Sequence, residues 1–182
     1  MLRTARWGAY CMSGKRGAGF SLVELMITLV VLAILAAVAF PNFQGVMRSN
    51  QVATTTNELL ASLSLARAEA IKSARGAGVC ASTAGAACDG ATWGDGWMVW
   101  TDANGNGAFD AGEAVVRVSP GSPKVVADDA DLVIAFDSRG RRRSQAAQAI
   151  ALQPADCGGQ ALLRTVSINQ TGQTKVAKGA CP

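Results

Sequence analysis

Between Phe20 and Phe40 the chain runs for 21 residues with a single charge, Glu24, and the run stops at Pro41. Wound as an α-helix it would be about 30 Å long, the thickness of the hydrocarbon core of a bilayer. The segment therefore predicts one membrane span over residues 20–41. The residues before it contain Arg3, Arg6, Lys15 and Arg16 and no acid. Positive charge on that side keeps it in the cytoplasm and sends the C-terminal part outward. The expectation is a single-pass inner-membrane protein with its head in the periplasm. Ala37-Val38-Ala39 opens an alternative, a secretory signal cut after Ala39, because small residues behind an apolar run form such sites. A third reading is an anchor that is never cut. The acid inside the apolar run and the Gly17-Ala18-Gly19 hinge ahead of it oppose an ordinary secretory signal. The first residue of the mature protein separates the three: Phe20, Phe40 or Met1.

The string Lys15-Arg16-Gly17-Ala18-Gly19-Phe20-Ser21-Leu22-Val23-Glu24-Leu25 resembles the prepilin signal of type IV pilins and type II secretion pseudopilins. The resemblance implies that prepilin peptidase removes residues 1–19 by cutting after Gly19 and methylates the new amino group of Phe20. The apolar helix then stays as the anchor and later forms the filament core. A carboxylate in hydrocarbon costs about 3 kcal/mol even on lenient scales, so Glu24 should seek a cation. The family suggests the amino terminus of a neighbouring subunit. The plainer reading leaves Glu24 at the level of the lipid headgroups.

Charge and cysteine usage fit that scheme. The sequence pI is near 9.0, but four of the 17 basic residues lie before Gly19, which leaves 13 against 13 acids behind the expected cut. The basic pI thus belongs to the leader. There is no His, which excludes Ser-His-Asp and Cys-His nucleophilic sites and His-bound metal, and the chain reads as a structural protein rather than an enzyme. Of the five Cys, Cys11 falls in the leader, and Cys80, Cys88, Cys157 and Cys181 remain. An even number in two groups suits an oxidising compartment. The short loops favour Cys80–Cys88 and Cys157–Cys181, although four Cys allow three pairings. Zinc is the rival reading, and neither group has C-x-x-C spacing.

Behind Pro41, where a helix kink is expected from the missing N–H and the ring clash, the pattern becomes amphipathic over residues 42–76. Leu59, Leu63, Ala66 and Ala70 form a stripe spaced i, i+4, i+7, i+11, with Arg48, Glu58, Arg67, Glu69 and Lys72 off it. Arg75-Gly76 supplies a last-turn cation and a glycine to end the helix. Residues 77–182 read as a β-rich head. The expected strands are Gly78–Ser82, Trp97–Thr101, Ala114–Val118, Lys124–Ala127, Leu132–Phe136, Ala149–Leu152, Leu162–Ile168 and Thr174–Ala177. Hairpins are expected at Ser138-Arg139-Gly140 and Gln170-Thr171-Gly172. Trp93, Trp97 and Trp100 could stack on bases, but large aromatics in and beside a strand more commonly belong to the core. The fold class is α+β, type IV pilin-like: a long N-terminal hydrophobic helix packed on an antiparallel β head.

Within the head, Trp97-Met98-Val99-Trp100-Thr101-Asp102-Ala103-Asn104-Gly105-Asn106-Gly107, with Gly112-Glu113 after it, resembles the pseudopilin H and FimT branch. With the C-terminal cysteine pair, the resemblance covers most of the chain. It implies a minor subunit at the tip or in the initiating complex of a type II secretion filament or type IV pilus, with other pilins or pseudopilins as partners. The same loop has calcium-loop spacing at Asp102, Asn104, Asn106, Gly107, Asp110 and Glu113. The plainer reading is a polar hairpin loop in which Asn and Gly supply the turn conformations. FimT-like DNA-uptake subunits carry G-R-x-R in a C-terminal loop. That string occurs here as Gly140-Arg141-Arg142-Arg143, with Arg139 just ahead of it. The family's position, between the last two cysteines, instead holds Gly172-Gln173-Thr174-Lys175. Two expectations follow: weak, salt-dependent binding of DNA backbone by Arg139, Arg141, Arg142, Arg143 and Lys175, or a solvated turn or partner-protein contact.

Overall fold

A computed structural model describes residues 19–127, 132–146 and 148–182, apart from the side chains of Pro41 and Asn42. The leader, with Cys11 and its four cations, lies outside the described residues, and so does the Pro41 ring on which the expected kink depends. The chain divides into two compact units, Met1–Phe40 and Pro41–Pro182. Helix α1, Leu22–Ser73, is assigned without interruption across both. In the first unit it begins where Ser21 Oγ accepts the N–H of Glu24 at 3.1 Å, a cap that satisfies one of the helix's open N–H groups. Every described side chain from Phe20 to Phe40 is exposed.

In the second unit the helix buries the expected stripe of Leu59, Leu63, Ala66 and Ala70, extended N-terminally by Val52. It ends earlier than the sequence suggests. Ala74 takes the left-handed conformation (φ 54°) and Gly76 already opens the first strand. The last turn is closed by Ala74 N–H donating to Ile71 O, so a residue with a Cβ does what glycine does at less cost.

Eight strands follow: β1 Gly76–Ala81, β2 Gly96–Thr101, β3 Val115–Pro120, β4 Val125–Ala127, β5 Val133–Asp137, β6 Gln148–Pro154, β7 Leu163–Ile168 and β8 Thr174–Gly179. They form two antiparallel sheets, β3-β2-β1-β5 and β4-β6-β7-β8. Helical Val52, Leu59 and Leu63 share one core with Val79, Trp97, Val99, Ile134 and Phe136 of the first sheet and Ile150, Leu152, Val166 and Ile168 of the second. The first sheet is covered on its other face too. There Cys80, Met98 and Trp100 lie under Phe109, whose ring meets Trp100 edge-on at 5.9 Å. Burial on both faces explains why β1 and β2 read as unbroken apolar runs instead of alternating ones.

Trp93, Trp97 and Trp100 are wholly buried, as expected of large aromatics in and beside a strand, and are not available to stack on bases; Trp97 Nε1 donates to Ser62 Oγ at 2.9 Å across the core. The turn at Ser138–Gly140 closes only a short hairpin: Asp137 N–H donates to Arg141 O at 2.8 Å and Arg143 N–H to Ala135 O at 3.0 Å around the antiparallel bridge of Phe136 to Arg142, and the pairing does not extend to β6, which belongs to the other sheet. The turn at Gln170–Gly172 does join paired strands, β7 and β8.

Candidate functional site

Gly19 and Phe20 are exposed just ahead of α1, and Glu24 occupies its first turn. An acid there lies near the positive end of the helix dipole, a favourable position whatever else it contacts. The exposure of the large apolar side chains in this unit runs from 50% at Val31 to 78% at Phe20. The segment is apolar and long enough to cross a membrane, and none of its described side chains is buried.

Both cysteine pairs are bonded, Cys80 to Cys88 and Cys157 to Cys181. Their sulfurs are therefore not thiolates offered to zinc, and among the described residues no group of three or more Cys, Asp or Glu is placed to hold a metal. The first bridge closes a loop organised by Asp89, which accepts from Thr83 N–H at 3.0 Å and Thr83 Oγ1 at 3.1 Å. Those donors, the Thr83 backbone N–H foremost, hold the Asp89 carboxyl below the usual carboxylate range. The second bridge ties the β6–β7 loop to the C-terminus. That loop is fixed to the helix by Arg48 and Asp156, 2.6 Å apart.

The loop between β2 and β3 bears the calcium-type spacing, and its oxygens are directed inward to donors. Asp102, its side chain fully buried, accepts the N–H groups of Gly105, Asn106 and Gly107 at 2.6, 3.1 and 2.8 Å. Asp110 Oδ2 accepts from the amides of Asn104 and Asn106 at 2.7 and 2.6 Å. Glu113 accepts from the N–H groups of Ala103 and Asp110 at 2.7 and 3.0 Å. The positive charge beside Asp102 is the guanidinium of Arg143, 3.3 Å away. Within this loop a guanidinium already lies beside the buried carboxylate, and the other carboxylates accept from donors of the loop itself.

The arginine string is thereby divided. Arg143 is the counter-ion of Asp102. Arg142 is buried, donating to the carbonyls of Ala146 and Ile168 at 2.8 and 3.2 Å and to Gln148 Oε1 at 3.0 Å, so it is removed from the surface on which a phosphate contact was expected. Arg139 and Arg141 are exposed. Asp137 presents them by accepting both of their backbone N–H groups at 2.9 Å. Asp137, Arg141, Arg142, Arg143, Gln145 and Gln170 line an open cavity of 330 Å³. Gly140, at φ 71°, gives its carbonyl to Arg67 Nε at 2.9 Å. A Cβ on Gly172, at φ 76°, would collide with that same carbonyl. The Gly140 and Gly172 turns, 32 positions apart in sequence, thus abut. Lys175 is exposed just beyond, on β8. The sequence pointed to the arginines but not to Arg67, Gln148 or Gln170, whose roles depend on contacts across the fold. Asp137 had a local signal, since Asp two residues ahead of a turn N–H commonly accepts from it.

Comparison with known proteins agrees with this architecture. The crystal structures of the Pseudomonas aeruginosa type IV minor pilin FimU in space groups P21 and P65 superpose with TM-scores of 0.54 and 0.51, at 24% and 23% identity. They cover 70% and 68% of this chain and 89% and 90% of theirs. At that identity the likeness speaks for the fold. No match is found among curated proteins. The family model for the prokaryotic N-terminal methylation motif matches residues 14–40, and that for the type II transport protein GspH matches residues 55–172, most of the second unit. With a methylation motif running into an uncovered apolar helix, and a β head spanned by the second model, the chain belongs to the GspH family of pilin-like subunits, which are structural proteins that assemble with other pilins.

Proposed function

We propose that the chain is a minor pilin or pseudopilin, anchored in the inner membrane with its head in the periplasm, that enters the tip or initiating complex of a type II secretion or type IV pilus filament. It catalyses no reaction. Prepilin peptidase cuts after Gly19 and methylates Phe20, and Glu24 meets the amino terminus of the adjoining subunit. The observation that carries this reading is the continuity of the methylation motif with a helix whose side chains find no cover in their own unit. Bilayer lipid covers it before assembly, and the helices of other subunits do so afterwards. Mass spectrometry of the mature N-terminus should find methylated Phe20, and Glu24→Ala should be processed normally yet fail to enter sheared filaments. An N-terminus at Phe40 or Met1, or normal incorporation of the variant, would overturn the reading.

One observation favours a second reading, capture of DNA for uptake. The abutting Gly140 and Gly172 turns gather exposed Arg139, Arg141 and Lys175, none with a carboxylate partner among the described residues. Cations so arranged suit phosphates and give binding that is indifferent to sequence and steeply weakened by salt. Full-length chain in detergent, titrated with duplex DNA at low salt, should bind, and Arg139→Ala/Arg141→Ala should lose most of that binding. Equal binding by both proteins, or none by wild type, removes this reading.

A further inference from the structure

Charge is segregated along the head. Residues 76–131 hold eight carboxylates and two cations, whereas residues 132–182 hold two carboxylates and seven cations. Those two carboxylates are engaged, Asp137 by backbone amides and Asp156 by Arg48. The second sheet is left with Arg164, Lys175 and Lys178, and none of them has a described carboxylate within salt-bridge reach. Arg164 on β7 and Lys178 on β8 stand directly opposite each other in the ladder. Like charges so placed destabilise a sheet, and among the described residues no carboxylate is paired with either of them.

β8 is one of the two edge strands of that sheet, β4 being the other. Register puts Lys178 on the side of the sheet shared with buried Val166 and Ile168, and Lys175 on the side of Ser167. The two lysines therefore flank the free edge from opposite faces. Edge lysines can serve merely to repel other strands. That explanation leaves out Arg164, which lies on an inner strand and guards no edge.

We infer that the β8 edge, with Lys175, Lys178 and Arg164, is a contact surface for a different pilin-type subunit that presents carboxylates to it. The inference rests on the filament reading above. Family membership makes another such subunit the natural neighbour, and the unpaired cations state the chemistry its face must supply. Carboxylates brought against the Arg164–Lys178 pair convert a like-charge strain inside one head into an attraction between two.

The test uses the full-length chain in cells that assemble the filament. A water-soluble carbodiimide joins a lysine amine to a carboxylate held against it. The expected product links Lys175 or Lys178 to an Asp or Glu of another methylation-motif subunit, in a yield that prior nuclease treatment does not change. Lys175→Arg/Lys178→Arg, which keeps the charge but has no amine to link, should enter sheared filaments normally and give no product. Lys175→Glu/Lys178→Glu should lower incorporation by roughly tenfold. Linkage only to a second copy, linkage lost after nuclease treatment, or undiminished incorporation of the reversed variant would each overturn the inference. Wild type present in filaments without any linkage removes this contact alone. Wild type missing from filaments removes the filament reading and this inference with it.

Discussion

The β2–β3 loop and the β5–β6 turn are both short, polar and dense in charge, yet they use that charge in opposite ways. In the first, Asp102, Asp110 and Glu113 each accept hydrogen bonds from donors of their own loop. In the second, Asp137 holds the backbone while Arg139 and Arg141 are exposed with no carboxylate partner among the described residues. Arg143 joins the two by leaving the arginine string to pair with Asp102. Charge density alone does not tell a ligand site from an internal scaffold. What separates them is whether the groups are already satisfied within the chain.

The sharpest way to break this comparison is to remove the hub of the first loop. Asp102→Ala leaves three N–H groups without their acceptor and Arg143 without its counter-ion, and should cost about 3 kcal/mol or more. Chemical denaturation of the full chain in detergent would measure it, and a cost under about 1 kcal/mol would show that the loop does not depend on its acid. Next comes Arg142→Ala, which strips the carbonyls of Ala146 and Ile168 and the Gln148 amide of a buried donor and should cost about 2 kcal/mol by the same assay. A smaller effect is expected from Arg139→Ala and Arg141→Ala, each within about 0.5 kcal/mol of wild type because their side chains support nothing in the fold. A large loss at either would place that arginine with Arg142 and not with the surface. The smallest expected response is to calcium. With Arg143 already beside Asp102, millimolar calcium should leave Tm unchanged; a rise that grows with calcium concentration would mean that a cation binds the native loop.

Asp89 extends the same comparison to acid pH. Its carboxyl is held below the usual range by Thr83, so its contribution is complete above the unfolded value, 3.8, and is lost as pH falls through the lower folded value. Asp89→Asn should therefore lower stability at neutral pH and flatten the acid limb of the stability curve. An acid limb that stays unchanged would show that Thr83 does not hold the charged form in solution.

Much of the fold could be read from periodicity. The stripe Leu59, Leu63, Ala66, Ala70 is buried as its spacing requires, and all eight expected strands exist with ends shifted by a few residues. Both signals are local, since one buried face imposes a period of 3.6 or 2 on the residues that form it. Strand pairing is not local. The Ser138–Gly140 turn has the composition of a hairpin, but β5 pairs with β1 across 53 residues and β6 goes to the other sheet. Helix termination was misplaced for a similar reason. Glycine at Gly76 was the favourable stop, but the backbone of β1 needs that residue beside Asp102 and Phe136, and Ala74 takes the strained position instead.

The sequence by itself determined the apolar N-terminal helix, the methylation motif that leads into it, the helix-then-strands order and the lack of any His. Each is written within a few turns of chain, where no distant partner can change the outcome. Only the tertiary structure decided which of four neighbouring arginines are engaged within the chain and which stay exposed. Arg139, Arg141, Arg142 and Arg143 carry the same guanidinium and near-identical local context. Their fates diverge because Asp102 lies beside one, a cage of carbonyls around another, and water beside the remaining two. A charge inside a protein must be paired or hydrogen-bonded, and some of the partners that allow it, Asp102 for Arg143 and the Ile168 carbonyl for Arg142, come from far away in the chain, where no local pattern records them.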